Sequence, residues 1–288
     1  MRRFFRTVYE LCGMIKLGHS VLALPFAFMG ALLAARGLPP GRTACFILVA
    51  MVAARSAAMA FNRLADATFD ALNPRTADRA LPAGRVSRGA TVMFIGVNAL
   101  LFIWAAGQLN LVCLALSPLA LAVVLGYSLT KRFTWASHLV LGLGLALAPA
   151  GGWLAVKGDL GWPVLALSAA VLLWVAGFDI LYALQDEEFD RRVGLFSLPA
   201  RVGSGKARLW AAACHVLATL GFVLTGTLAG LGRLYALTAL LCGLVLLYQH
   251  LRLSRRAPLR LPPAFFTLNG LVSVALGLAT WLSLALSG

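Results

Sequence analysis

Two short acidic stretches hold most of the chemistry available to this chain. In the first, Asn62–Arg88, Asp66 and Asp70 stand four residues apart, with Asn62 four residues ahead of Asp66. On a continuous helix that spacing puts all three side chains on one face, one turn above another. Two carboxylates and an amide oxygen make an oxygen-only donor set, which suits Mg²⁺ rather than zinc or copper. Arg75, Arg79, Arg85 and Arg88 follow closely, so acid and base lie side by side as in a metal-and-phosphate site. The second stretch, Asp179–Arg192, repeats the pattern with Asp186 and Asp190. Asp179 lies seven residues before Asp186, with Tyr182 between them, so helical spacing turns all three the same way. Arg55 has the same relation to Asn62: it can pair with Asp179 across the bundle, or offer its fork to an anionic group of a substrate. Lys131 and Arg132 follow Tyr127 in YSLTKRFTWASH, where membrane anchoring and diphosphate binding explain them almost equally well.

The elements that must position these residues are membrane helices. Of 288 residues, 61% are hydrophobic and only 12% charged, and mean hydropathy is +0.87. A soluble domain carries about twice that share of charge. No hydrophilic block is long enough for a second domain, so residues 1–288 read as one integral-membrane domain, all-α. Apolar runs of spanning length fall at about 17–35, 43–62, 90–106, 110–129, 137–156, 163–183, 208–229, 233–251 and 264–286, a bundle of nine helices. The basic lead-in with Arg2, Arg3, Arg6 and Lys16 reads as an uncleaved membrane-surface segment before the first span.

The net charge of +15 excludes little by itself, but its distribution is informative. With the N-terminus inside, cytoplasmic segments hold 20 of the Lys and Arg residues and the opposite side 4 (Arg36, Arg42, Lys157 and Arg233). That asymmetry places both acidic stretches at the cytoplasmic face, in a membrane expected to be an inner, bacterial-type one. No aromatic-plus-basic pattern for nucleic acid is present, and no obligatory protein partner is evident. The five cysteines are far apart, mostly inside apolar runs, and read as packing residues; His19 and Asn98 read as helix-to-helix hydrogen-bonding groups. DxxxD, basic residues and Leu-Pro recur at Asp66–Pro82 and Asp186–Pro199, a faint internal repeat.

A single DxxxD is as easily a solvated loop as a site. Two of them at equivalent helix ends, each flanked by arginines, favour function, since ionisable groups near the membrane core are costly. NRLADATFD (Asn62–Asp70) resembles the NDxxDxxxD motif of the UbiA family of intramembrane aromatic prenyltransferases. RTADRALPAG (Arg75–Gly84) is similar to the RTxxRPLPxG stretch of that family. DILYALQDEEFD (Asp179–Asp190) resembles its second motif, D-xx-Y-xxx-D-xxx-D. Arg63 stands where the first motif has Asp. The resemblance covers essentially the whole chain, and the NPRT context (Asn73–Thr76) is that of 4-hydroxybenzoate polyprenyltransferase-like branches.

The resemblance implies transfer of a polyprenyl group from polyprenyl diphosphate to a small phenolic acid, with Mg²⁺ as cofactor and the bilayer as surroundings. Asn62, Asp66 and Asp70 would hold one ion and Asp186 with Asp190 another. Arg75, Arg79, Lys131 and Arg132, with Tyr127, would bind the diphosphate, and the faces of Tyr127, Tyr182 or Phe178 would stabilise the allylic cation. Asp179 would orient the phenol or take its ring proton, and Arg55 would meet the carboxylate of 4-hydroxybenzoate. A related acceptor such as 1,4-dihydroxy-6-naphthoate involves the same chemistry. From another class, a cation-coupled transporter would use the same carboxylates as ion ligands, but these sit at one membrane face rather than the midplane.

Overall fold

Helices are the form such a chain must take, because backbone polar groups in a lipid core can be satisfied only within their own segment. The structure, a computed structural model, describes residues 9–11, 13–15, 22–253 and 264–287. Arg2, Arg3, Arg6, Cys12, Lys16 and His19 of the lead-in, and Arg255, Arg256 and Arg260, lie outside the described residues.

The chain runs through α1 (Leu24–Ala35), α2 (Gly41–Ala65), the short α3 (Ala67–Leu72), α4 (Arg88–Leu109), α5 (Leu111–Thr130) and α6 (Ser137–Lys157). It continues through α7 (Trp162–Ala183), the short α8 (Glu187–Val193), α9 (Leu198–Ala229), α10 (Gly232–Leu253) and α11 (Ala264–Ser287). Eight helices, counting α7 with its continuation to Val193, are long and apolar enough to cross a membrane; α1 is a shorter apolar helix. These and α1 match the nine expected spans in order. The third span is longer than its apolar run, reaching Arg88–Leu109, because Ser87 caps its first turn by accepting from Ala90 N–H. The result is an all-α, multi-pass membrane bundle.

The outside is greasy and the centre tightly packed. Leu209, Leu217, Leu220 and Leu224 of α9 stand exposed, as lipid-facing side chains must. α7 is central, burying Leu167, Val171, Trp174 and Leu181. Its Trp174 indole N–H donates to Asn269 Oδ1 of α11 at 3.1 Å. An aromatic series Phe26–Trp174–Phe178–Phe265–Phe266–Tyr182 runs through the core with centroid separations of 5.3 to 6.5 Å, ending at one of the expected site residues. α1 and α6 touch backbone to backbone: a Cβ on Gly30 would strike the Pro149 carbonyl, and one on Gly152 that of Ala27.

Three local expectations change. Asn62, Asp66 and Asp70 do not share a continuous helix: α2 stops at Ala65, and Asp66 takes φ −88°, ψ 2° before α3 begins. Asp186 does the same at φ −109°, ψ 7° before α8. Both first carboxylates thus sit in the bridge region common among functional residues, and the two halves of the faint repeat share one backbone device. Asn98 bonds within its own helix, donating to Phe94 O at 2.8 Å, because its amide reaches the carbonyl one turn back. Helix α9 breaks at Gly203 (φ 79°, ψ 158°), ahead of the apolar run that starts at about residue 208.

Candidate active site

The two acidic stretches meet at one end of the bundle, joined by charge-assisted hydrogen bonds. Arg75 makes a fork on Asp186, Nε to Oδ1 at 3.1 Å and Nη2 to Oδ2 at 2.6 Å. Its Nη1 donates to the Tyr182 hydroxyl at 2.8 Å, and the guanidinium lies 5.4 Å from that ring's centroid. Asn73 adds a third donor to Asp186 Oδ1 at 3.2 Å, while its own Oδ1 accepts from Arg75 N–H at 2.9 Å. The Asn-Pro turn therefore does two jobs: it shapes the loop and clips the first stretch to the second. Arg79 Nη1 donates to both oxygens of Asp70 at 2.7 Å, and the Thr76 hydroxyl holds the Asp70 carbonyl at 3.0 Å.

The α5–α6 connection closes the third side. Lys131 Nζ lies 3.1 Å from Asp190 Oδ2, and the Lys131 carbonyl accepts from Phe196 N–H at 2.7 Å. The hydrogen bond of Lys131 runs to Oδ1 at 3.4 Å, so the buried Oδ2 has a cation beside it but no donor aimed at it. Arg132 does something else: it donates to the Ala65 carbonyl at 2.6 Å, capping α2, and stacks over Phe69. Asn62 Nδ2 donates to Asp66 Oδ2 at 3.1 Å, and its own oxygen accepts from Arg63 at 3.3 Å.

Electrostatics follow from these contacts. Burial, then the neighbouring Asp70 carboxylate, push the Asp66 carboxyl up to about 6. Burial works against the Lys131 ammonium, but Asp190, with Asp179 and Asp186 behind it, outweighs burial and raises it. Arg75 is likewise held charged against burial by Tyr182 and Asp186.

The donor set fits a hard divalent cation. It is all oxygen, burial and the Asp70 carboxylate raise the Asp66 carboxyl, and Asp190 Oδ2 is buried beside the Lys131 ammonium. Among the described residues no three His, Cys, Asp or Glu side chains form a closed cage. That suits an ion that takes one or two carboxylates and completes its shell with water and phosphate.

Below this cluster lies a cavity of about 480 Å³, lined almost wholly by Ala, Leu, Val, Gly and Met side chains, with Arg55 and Tyr127 among them. Arg55 does not pair with Asp179. Its Nε is buried with no hydrogen-bond partner, and among the described residues no acid meets it. Asp179 instead receives His138, whose Nδ1 is 2.6 Å from Asp179 Oδ2. Sequence reasoning passed over His138 and Asn73. Asn73 had the Asn-Pro turn as a signal; a lone histidine at a helix start had none.

The sequence pattern of the UbiA prenyltransferase family matches residues 23–271. The chain belongs to that family. Among UbiA-like relatives, a "4-hydroxybenzoate octaprenyltransferase" of Idiomarina loihiensis is 32% identical over 84% of this chain and 85% of its own length. A "Protoheme IX farnesyltransferase" of Synechococcus elongatus is 35% identical over 77% of this chain and 71% of its own. In three dimensions the bundle is similar to the apo UbiA homolog of Aeropyrum pernix K1, with TM-score 0.83, 35% identity and 92% and 97% of the two chains covered. The fold is shared by a UbiA homolog from Archaeoglobus fulgidus bound to GPP and Mg²⁺, with TM-score 0.75, 18% identity and 96% and 99% coverage. UbiA membership makes this chain a membrane prenyltransferase.

Proposed function

We propose that the chain transfers a polyprenyl group from polyprenyl diphosphate to a ring carbon of a carboxylated phenol of the 4-hydroxybenzoate type, as a Mg²⁺-dependent step of quinone synthesis. What carries the reading is the meeting of two acidic stretches over an apolar cavity that holds an unpaired Arg55. The excess of basic residues on one side supports a site facing the cytoplasm.

Asn62, Asp66 and Asp70 would hold one ion, and Asp186 with Asp190 the other; bound there, the cation supplies Lewis-acid neutralisation of the diphosphate. Arg75, Arg79 and Lys131, now spent on carboxylates, exchange onto phosphate oxygens as substrate binds. With that charge met, the C1–O bond breaks, its electron pair leaves with diphosphate, and an allylic cation remains. Tyr127, Tyr182 and Phe178 offer ring faces to the cation, and apolar walls keep water from it. The ring carbon ortho to the acceptor hydroxyl forms the new bond to C1, and its proton passes to Asp179. Arg55 receives the acceptor carboxylate, which lowers the cost of a half-buried guanidinium without a counterion. Arg132 serves this scheme from outside, by holding the end of α2.

The test is an acceptor screen in lipid nanodiscs with geranyl diphosphate, offering 4-hydroxybenzoate, 1,4-dihydroxy-6-naphthoate and protohaem IX, with products read by mass spectrometry. The expected result is a prenylated carboxylated phenol that disappears with EDTA, and with Asp66→Ala or Asp190→Ala at near-normal expression. Product from protohaem alone, or undiminished product in EDTA, overturns the reading.

A further inference from the structure

His138 is the second residue of α6 and is buried, with 2% of its surface exposed. Its imidazole joins α6 to two other segments at once. Nδ1 meets Asp179 Oδ2 of α7 at 2.6 Å, and Nε2 accepts from the N–H of Leu198, the first residue of α9, at 3.2 Å. A backbone N–H can only donate, so Nε2 must present its lone pair, and the ring hydrogen sits on Nδ1. His138 therefore donates to Asp179, and the tautomer is set by the start of α9.

That start leaves nothing else to do the job. Of the first N–H groups of α9, that of Ala200 goes to the Ser197 hydroxyl at 3.4 Å, and Pro199 has none. Leu198 would be the orphan, and His138 takes it. On the other side, Asp179 is partly exposed, with 24% of its side chain accessible, and among the described residues no donor meets its Oδ1.

We propose that His138 is a positioning residue: it fixes Asp179 by Oδ2 and leaves Oδ1 turned to the aromatic acceptor. This rests on the reading of Asp179 as the group that orients the phenol or takes its proton. It also ties that group to the chain just after the second acidic stretch, since Leu198 follows Asp190 by only eight residues.

The rival role for His138 is a plain helix cap, and a double-mutant cycle separates the two. In the full chain in nanodiscs, His138→Ala is expected to cut turnover at saturating acceptor by about 10²-fold, the scale of a misplaced reacting group, with unchanged affinity for geranyl diphosphate. His138→Gln is expected to restore most of the turnover, because one amide supplies both a donor and an acceptor. In an Asp179→Asn background His138→Ala is expected to cost little more, since both act through one carboxyl. Equal losses from His138→Ala in both backgrounds, or no rescue by Gln, would make His138 a cap and overturn the inference. Full turnover in Asp179→Asn would overturn the reading of Asp179 itself and this inference with it. Loss in Asp179→Asn with full turnover in His138→Ala would overturn only the inference.

Discussion

At the scale of single residues, the site is a set of carboxylates already answered by bases, with Asp66 the least well answered. Its carboxyl, raised from 3.8 to about 6, binds a proton more tightly in the folded protein than in the unfolded chain. Ionising it therefore costs stability as pH climbs between those values, and that cost is removed when a cation arrives. Mg²⁺ binding is accordingly expected to weaken as pH falls through 6 and to release a proton there; titration calorimetry in buffers of different ionisation enthalpy measures it. Affinity independent of pH between 5 and 7 would separate Asp66 from the ion. Arg75 holds both oxygens of Asp186 and the Tyr182 hydroxyl with one planar group. Arg75→Lys keeps the charge but loses the fork, and kcat/KM for prenyl diphosphate should fall roughly 10- to 100-fold, the worth of one charged hydrogen bond.

Among the elements, the interruptions matter as much as the helices. A straight α2 would carry Asp70 onward along its axis; the break at Asp66 lets α3 turn Asp70 toward Arg79, and the break at Asp186 sets α8 in the matching place. The faint repeat in the sequence is thus a repeat of backbone geometry, although its two Leu-Pro pairs differ: Leu81-Pro82 lies in a turn, and Leu198-Pro199 opens α9. Elsewhere the helices must be close enough for backbone contact, as α1 and α6 are at Gly152 and Ala27. Gly152→Val should lower stability by about 1–3 kcal/mol, as overpacking does, and thermal unfolding in detergent would register the lower midpoint. An unchanged midpoint would mean that α1 and α6 can part without cost.

For the molecule as a whole, an apolar interior and a charged end are the design. The cavity runs along α5 from Cys113 to Tyr127, about 21 Å at the rise of an α-helix, and its small residues leave room for an isoprenoid tail. Ala120 lines it midway. Ala120→Phe is expected to shift the ratio of kcat/KM for geranyl over geranylgeranyl diphosphate upward by about tenfold, within what pocket size alone discriminates. Parallel kinetics with the two donors provide the check, and an unchanged ratio would put the tail elsewhere.

What the sequence determined unaided is whatever depends on near neighbours and on the solvent: the helices, their number and order, the oxygen-rich stretches, the residues of the Arg75–Asp186 and Lys131–Asp190 clusters. Lipid forces each apolar run to satisfy its own backbone, so hydropathy locates the spans, while caps and breaks such as those at Ser87 and Gly203 set their ends. What only the tertiary structure decided is the choice of partner. Arg55 faced two prospects at the level of spacing, and it is His138, reaching across from another helix, that takes Asp179. Arg75 and Asp186 lie 111 residues apart in the chain, and no spacing rule links such positions. Their meeting depends on how whole helices pack and where two of them break, which no short window of sequence contains.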